Sequence, residues 1–184
     1  MADIITVDYL KKVPFPVKDA QWDKIDEDFL EEIVGAAGDF LEDYLDTKIA
    51  ATTYSERIVG PNSPVLILNY YPIISLAGVT EIDEIEGTIA HDLSAFIIHN
   101  GSGMIEWKDK VHNWFTKARV YRVEYRAGFE TIPPVLKLAT AYQAYEMLQP
   151  MLRGSRDMQP VDFVPGTSEK FVELTEKYRR KRIG

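Results

Sequence analysis

The sequence contains no cysteine, and only three of its 184 residues are histidine. Without cysteine the chain has no disulfide bond, no thiolate nucleophile and no cysteine-ligated zinc. The three histidines form neither an i, i+4 pair nor a short H-x-H motif: they are His91, His99 and His112. Because a zinc site needs three or four convergent ligands, we predict no metal site, no cofactor and no catalytic residue.

Long apolar runs and nucleotide-binding loops are also missing. No segment approaches the roughly 20 apolar residues of a membrane-spanning helix, and Asp3 and Asp8 interrupt the place where a signal peptide would have its apolar region. The chain has no G-x-S-x-G motif, and Gly101-Ser102-Gly103 lies in a predicted hairpin rather than before a helix. We therefore expect neither a membrane partner nor a hydrolase.

Positive charge is scarce in the first part of the chain. Residues 1–50 hold thirteen acidic and five basic side chains, whereas residues 168–184 hold three acidic and six basic ones, and the whole chain has a net charge of −8. An acidic body disfavours general binding to DNA, which needs cations that displace counterions from phosphates. The basic end is either a contact for an acidic partner or nucleic acid, or a solvated helix end favoured by the helix dipole.

One stretch, residues 120–153, carries three local patterns in succession. The first alternates and predicts a strand whose buried face holds Tyr121, Val123 and Tyr125. Gly128 then permits a backbone angle that other residues avoid. Pro133-Pro134 opens a long amphipathic helix, with Thr131 as its predicted N-cap. The rest of the chain is expected to pack against this unit.

Residues 23–47 predict a second long helix, capped at its N-terminus by Asp23. Its small-residue patch, Gly35 to Gly38, predicts close approach by another segment, because a mid-helix glycine costs up to about 1 kcal/mol relative to alanine. The rest of its surface is acidic. A solvated face is favoured there over a carboxylate or metal site; the residues concerned are Glu31, Glu32, Asp39, Glu42 and Asp43.

Residues 50–126, between the two helices, predict about six antiparallel strands, including a hairpin across Asn100 to Gly103. The predicted fold class is therefore α+β, a small helical bundle with an inserted antiparallel β-sheet of about six strands. We divide the chain into an N-terminal arm (1–22), a core (23–154) and a C-terminal extension with a basic terminal helix (155–184).

Several motifs carry a resemblance to a known family. The segment Val123 to Pro133 reads V-x-Y-x-A-G-F-x-x-I-P and precedes an alanine-rich amphipathic helix. Upstream, in order, stand F-L-E-D-Y-L, Y-S-E-R-I-V-G, V-L-I-L, Y-Y-P-I-I-S-L-A-G-V and G-x-G-M-I-E-W. Together these segments resemble the tailed-phage head-tail connector proteins, also called adaptor or head-completion proteins. The arm around Phe15 and the last thirty residues depart from the shorter members.

The resemblance implies a structural virion protein of the phage neck, present in the host cytoplasm during assembly. Such connectors form a homo-oligomeric ring, usually of twelve copies, below the portal protein. The ring extends the DNA channel and provides the docking surface for the next head-completion or tail protein. DNA is expected to pass without specific binding, because acidic side chains repel phosphates. The acidic helix residues given above, Glu31, Glu32, Asp39, Glu42 and Asp43, are the predicted channel-facing set.

The predicted contacts with the portal or with neighbouring subunits lie in the arm and in the terminal helix. They are Phe15, Phe171, Arg179, Arg180, Lys181 and Arg182. An alternative from another class is a monomeric β-rich module that binds a ligand through the surface aromatics Trp107 and Trp114, although aromatic residues of a small β layer are more often part of the core.

Overall fold

The fold is α+β, as predicted, in a computed structural model that describes residues 4–17, 19–83, 87–152 and 167–179. Within these residues there are five α-helices: α1 (Val7–Lys12), α2 (Asp19–Trp22), α3 (Glu27–Leu45), α4 (Pro134–Leu152) and α5 (Glu169–Thr175). The same residues contain seven strands: β1 (Thr52–Val59), β2 (Val65–Ile67), β3 (Ile73–Asp83), β4 (Gly87–Ala90), β5 (Phe96–His99), β6 (Met104–Trp107) and β7 (Val120–Ala127).

Both long helices begin later than the sequence indicates. Asp26, not Asp23, caps α3, since its carboxylate accepts hydrogen bonds from the amides of Asp28 (3.0 Å) and Phe29 (3.4 Å). Helix α4 begins at Pro134, and the carbonyl of Pro133 accepts its first hydrogen bonds. The predicted cap Thr131 does not stand directly before α4, which begins three residues later, so that prediction was wrong.

The small-residue patch of α3 is covered on one side only. The side chain of Ile4 would lie 3.5 Å from a Cβ placed on Gly38, and Ala37 is fully buried. A Cβ placed on Gly35 would meet no atom within 4 Å. The predicted close approach is therefore confirmed at Gly38, whereas Gly35 gains no packing contact to offset its helix penalty.

The strands form two sheets rather than one. The four-stranded sheet has the order β1-β7-β3-β4, the three-stranded sheet has the order β2-β6-β5, and every pair is antiparallel. The predicted strand β7 and the predicted hairpin of β5 and β6 are confirmed. Strand β4 was missed, because its four residues are all exposed and show no alternation of burial.

Aromatic side chains fill the core between the strands. Tyr121, Val123 and Tyr125 are buried on one face of β7, as the alternation predicts. The hydroxyl of Tyr125 donates to the Glu56 carboxylate and accepts from the amide of Tyr70 (3.1 Å). Burial, and then the bond to Glu56, raises the pKa of Tyr125 far above its ordinary value. The phenol therefore stays protonated and keeps its donor role.

The chain divides into two compact units. The helical unit consists of the chain up to Asp46 together with the segment that begins at Ile132, and the β unit is Thr47–Thr131. Within the helical unit, α4 packs against both α3 and α5. Within the β unit, a parallel bridge between Ala50 and Phe129 brings the start and the end of the unit together. The boundaries drawn for an N-terminal arm and a C-terminal extension stay predictions.

Two arginines face each other across the solvent side of the four-stranded sheet. Arg57 of β1 pairs directly with Arg122 of β7, on the face opposite to the buried tyrosines. Like charges directly opposite each other destabilise a strand pair. We expect Arg57→Glu to raise the free energy of unfolding by roughly 0.5 kcal/mol, measured by urea unfolding. Ser55→Glu, which places a second carboxylate opposite Glu124, is the matched control and is expected to lower it.

Candidate functional site

The acidic face of α3 comprises Glu31, Glu32, Asp39, Glu42 and Asp43. All are exposed except Glu42, which is half-buried. Within the described residues, none of the four exposed carboxylates forms an ion pair. These four carboxylates thus form a surface of negative charge on α3, which repels phosphate and attracts cationic segments.

The predicted contact residues of the terminal helix differ in exposure. Phe171 is fully buried at 0% exposure and packs edge-on against Phe40 and Tyr44. Arg179 is exposed, and its guanidinium lies 5.3 Å from the ring centroid of Tyr44. The structure therefore offers Arg179, and not the ring of Phe171, to a partner. Arg180, Lys181 and Arg182 lie outside the described residues.

The remaining predicted contact, Phe15, lies at a groove of the helical unit. Its ring stacks on Tyr145 at 4.3 Å and meets Tyr142 edge-on at 5.4 Å. The groove has a volume of about 580 Å³. We call it the aromatic groove; it is lined by Pro14, Phe15, Pro16, Tyr142, Tyr145, Glu146, Gln149, Thr167, Ser168, Glu169, Lys170 and Glu173.

The two tryptophans of the alternative hypothesis have different environments. Trp107 is only 7% exposed and packs against Phe96 (4.3 Å) and Phe115 (5.5 Å), so it belongs to the core. Trp114 is 45% exposed. A platform for stacking a ligand needs accessible ring faces, and Trp107 has none. The prediction that Trp107 and Trp114 bind a ligand together was therefore wrong, because Trp107 is a core residue and only Trp114 is a surface residue.

Trp114 belongs to a basic loop between β6 and β7. We call residues 108–118 the Trp114 loop; it contains Lys108, Lys110 and Lys117 against a single carboxylate, Asp109. Lys110 pairs with Glu106 at 2.8 Å, and with His99 it lowers the pKa of that carboxyl. The loop also exposes Val111 at 81%. The exposed Val111 at the tip of this loop was not predicted from the sequence.

Other kinds of site find no support in the part of the chain that the structure describes. None of its helices combines the length and the hydrophobicity needed to cross a membrane. In the same residues, no three histidine, aspartate or glutamate side chains come close enough together to hold a metal ion. What these residues display is exposed charged side chains on α3 of the helical unit and exposed lysine and apolar side chains on the Trp114 loop of the β unit.

The model of the head completion protein family matches residues 3–144, and the chain belongs to that family. The prediction of a head-completion protein is confirmed. A comparison with curated proteins gave no match.

Solved structures share this fold at low sequence identity. A chain from the neck of an empty GTA particle, computed with C6 symmetry, is 13% identical with a TM-score of 0.66, covering 100% of this chain and 94% of that one. A chain from the virion of a native gene transfer agent (GTA) particle is 14% identical with a TM-score of 0.67, covering 98% and 91%. A chain from the neck of a native GTA particle, computed with C12 symmetry, is 15% identical with a TM-score of 0.60, covering 89% and 88%.

Proposed function

We propose that this protein is a structural component of the virion neck. Copies of the chain form a ring, with twelve as the expected number, below the portal protein; the ring extends the DNA channel and provides the docking surface for the next head-completion or tail protein. The match of the head completion protein family to residues 3–144 carries the proposal. The fold likeness to chains of GTA necks computed with C6 and C12 symmetry supports a ring.

In this role the protein acts by contact and not by catalysis. The packing of α4 on α3 and α5 supports a small helical bundle as the rigid part of each subunit. The acidic face of α3 is the surface that we assign to the channel. Its exposed carboxylates, free of ion pairs among the described residues, repel phosphates and so let DNA slide without binding.

The basic end and the arm are the segments that we assign to the portal and to neighbouring subunits. Arg179 is exposed there, and Arg180, Lys181 and Arg182 follow it in sequence. Phe15 is half-buried at the aromatic groove. Phe171 serves these contacts by holding α5 against α3, since its buried ring packs on Phe40 and Tyr44.

The mass of the purified protein in solution, alone and mixed with a portal ring, tests the proposal. A ring-sized species in either sample is the expected result. A monomer that remains a monomer in the presence of the portal ring contradicts the proposed function. The portal of the same virus is the appropriate partner, because docking surfaces are specific to their partners.

Neutralising the basic end is expected to weaken docking on the portal. Changing Arg179, Arg180 and Arg182 to glutamine should lower affinity by roughly tenfold or more at low salt and by less at high salt, measured by binding to immobilised portal. The matched control changes Lys24, Lys48 and Arg57, three exposed cations outside the arm and the basic end, to glutamine. Substitution is better than deletion of residues 168–184, because deletion removes buried Phe171. Equal docking by both variants refutes this contact.

A further inference from the structure

Phe115 anchors the Trp114 loop to the rest of the β unit. Phe115 is fully buried, its amide donates to the Ser63 carbonyl (2.8 Å), and its carbonyl accepts from the Asn62 amide (2.7 Å). These bonds fix the residue that follows Trp114 to the body of the β unit. The loop therefore projects from an anchored base.

The loop is also fixed from within. The Asp109 carboxylate accepts hydrogen bonds from the amides of Val111 and His112, each 3.2 Å long, and lies 2.9 Å from Nδ1 of His112. The hydrogen bonds from His112 lower the pKa of Asp109, because they stabilise its charged form. The indole Nε1 of Trp114 donates to the Lys110 carbonyl (2.8 Å). A loop that is ordered before binding loses little conformational entropy when a partner covers it.

This ordered loop exposes apolar side chains on a segment that holds more lysines than carboxylates. Val111 is 81% exposed and Trp114 is 45% exposed, although water disfavours both side chains. Lys108, Lys110 and Lys117 of the same loop are exposed, and Lys110 pairs with Glu106 at 2.8 Å. Tryptophan is among the residues that most often dominate the binding energy of protein interfaces. The tip thus fits a partner that offers an aromatic surface and carboxylates.

The aromatic groove of the helical unit has that chemistry. Its lining includes Phe15, Tyr142 and Tyr145, and Glu146, Glu169 and Glu173 outnumber the one lysine, Lys170. Its volume of about 580 Å³ falls within the range of roughly 300–1,000 Å³ typical of ligand pockets. An indole ring with a neighbouring valine side chain fits a space of this size.

We propose that the Trp114 loop of one copy docks in the aromatic groove of the next copy. The inference rests on the proposed ring, and it names the surfaces that join its subunits. Three lysines and one aspartate of the loop meet three glutamates and one lysine of the groove, so the charges are complementary. A contact between two different surfaces of one chain is heterologous, which is the kind that closes into a ring.

A second copy suits the groove better than nucleic acid does. The carboxylates of the groove repel phosphates, whereas they attract the lysines of the loop. The loop in turn carries an indole and an aliphatic side chain at its tip, which need an apolar surface rather than a backbone of phosphates. Both halves of the contact are present in every subunit, so no further component is required.

Cysteine cross-linking tests the contact directly, because the natural chain contains no cysteine. The single-cysteine variants Val111→Cys and Gln149→Cys are mixed under the conditions in which the wild type is a ring, alone or on the portal, and treated with a short thiol cross-linker. We expect a cross-linked dimer in the mixture and little in either variant alone. The matched control replaces Val111→Cys by Val59→Cys, which is 61% exposed on β1, and should give no dimer.

The outcomes distinguish a failure of the proposed interface from a failure of the proposed ring. A wild-type ring without the Val111–Gln149 cross-link refutes this interface and leaves the proposed function standing. A wild type that stays monomeric with and without the portal refutes both. The double variant with Val111→Cys and Gln149→Cys, diluted to a monomer, must also fail to cross-link, since a bond within one chain would show that the loop occupies its own groove.

Charge exchange provides a second readout that does not depend on cysteines. Lys110→Glu with Lys117→Glu should weaken subunit association by roughly tenfold or more, and so should Glu169→Lys with Glu173→Lys. Combining all four substitutions should restore most of the affinity, because the complementary charges have changed places. Sedimentation velocity measures association, and the melting temperature confirms that each variant is folded. Loss without restoration in the combined variant contradicts the docking.

Discussion

Gly128→Ala is expected to lower the free energy of unfolding by roughly 3 kcal/mol, one of the two largest effects of a single substitution that we predict. Gly128 adopts φ of +107°, a region that L side chains rarely enter. A Cβ at this position would lie 2.7 Å from the carbonyl oxygen of Ala50 and 2.8 Å from its carbon. Because both neighbours are backbone atoms, they cannot rotate away as a side chain would.

The backbone at Gly128 and Phe129 also holds the two ends of the β unit together. The amide of Gly128 donates to the Pro72 carbonyl (2.9 Å), and the next amide, of Phe129, donates to the Ile49 carbonyl (2.8 Å). Relief of the clash at Ala50 would displace these bonds. We therefore expect urea unfolding of Gly128→Ala to begin at a much lower denaturant concentration than in the wild type.

Two other glycines distinguish the effect of backbone strain at a positive φ from the effect of the clash with the Ala50 backbone. Gly87 has φ of +88° but no atom within 4 Å of a Cβ, so Gly87→Ala should show backbone strain alone, at about 1 kcal/mol. Gly101 has open space and no positive φ, so Gly101→Ala should lie within about 0.5 kcal/mol of the wild type. An equal loss at Gly87 and Gly128 would contradict the role of the Ala50 backbone.

Phe115→Ala is expected to have a similar or larger effect, lowering the free energy of unfolding by roughly 3–5 kcal/mol. The ring is fully buried. It meets Tyr121 edge-on at 5.0 Å and lies 5.5 Å from the centroid of Trp107, so truncation leaves a cavity among large rings. Urea unfolding followed by circular dichroism is the measurement.

The adjacent residue provides the control for Phe115. Trp114→Ala removes an exposed ring and its bond to the Lys110 carbonyl, so it should change the unfolding free energy by less than about 1 kcal/mol. It should nevertheless weaken subunit association, since the ring forms the tip of the Trp114 loop. The two variants would thus distinguish a residue needed for stability from a residue needed for assembly. A Trp114→Ala variant as unstable as Phe115→Ala would show that the loop serves the core instead.

The sequence predicts best where a pattern is local. The alternation of β7 and the hairpin across Asn100 to Gly103 each depend on neighbouring residues, and each was found as predicted. Helix α3 was also found, although it begins at Glu27 and not at residue 23. The cap of α3 shows the limit: Asp23 and Asp26 are both good caps, and only the position of the first helical turn selects Asp26. Strand β4 has no pattern of its own and exists because it pairs with β3.

The contact surfaces were harder to predict because distant segments build them. The aromatic groove combines residues of the arm near Phe15 with residues of α4 and α5. No spacing in the sequence indicates that these segments come together. Trp107 and Trp114 have the same side chain, yet long-range pairing buries the first and leaves the second exposed. The cluster of aromatic residues was evident from the sequence, but its division into core and surface was not.

The bridge between Ala50 and Phe129 has a consequence for the chain that surrounds the β unit. Closing a flexible loop costs entropy that rises with its length, by only about 0.6 kcal/mol for each doubling. Here the ends of Thr47–Thr131 are already joined by strand pairing, from Thr52 opposite Ala127 onward. To the helices, the whole insertion behaves as a short connection between Asp46 and Ile132. Such a module can be enlarged, trimmed or exchanged in evolution while the helices keep their own packing.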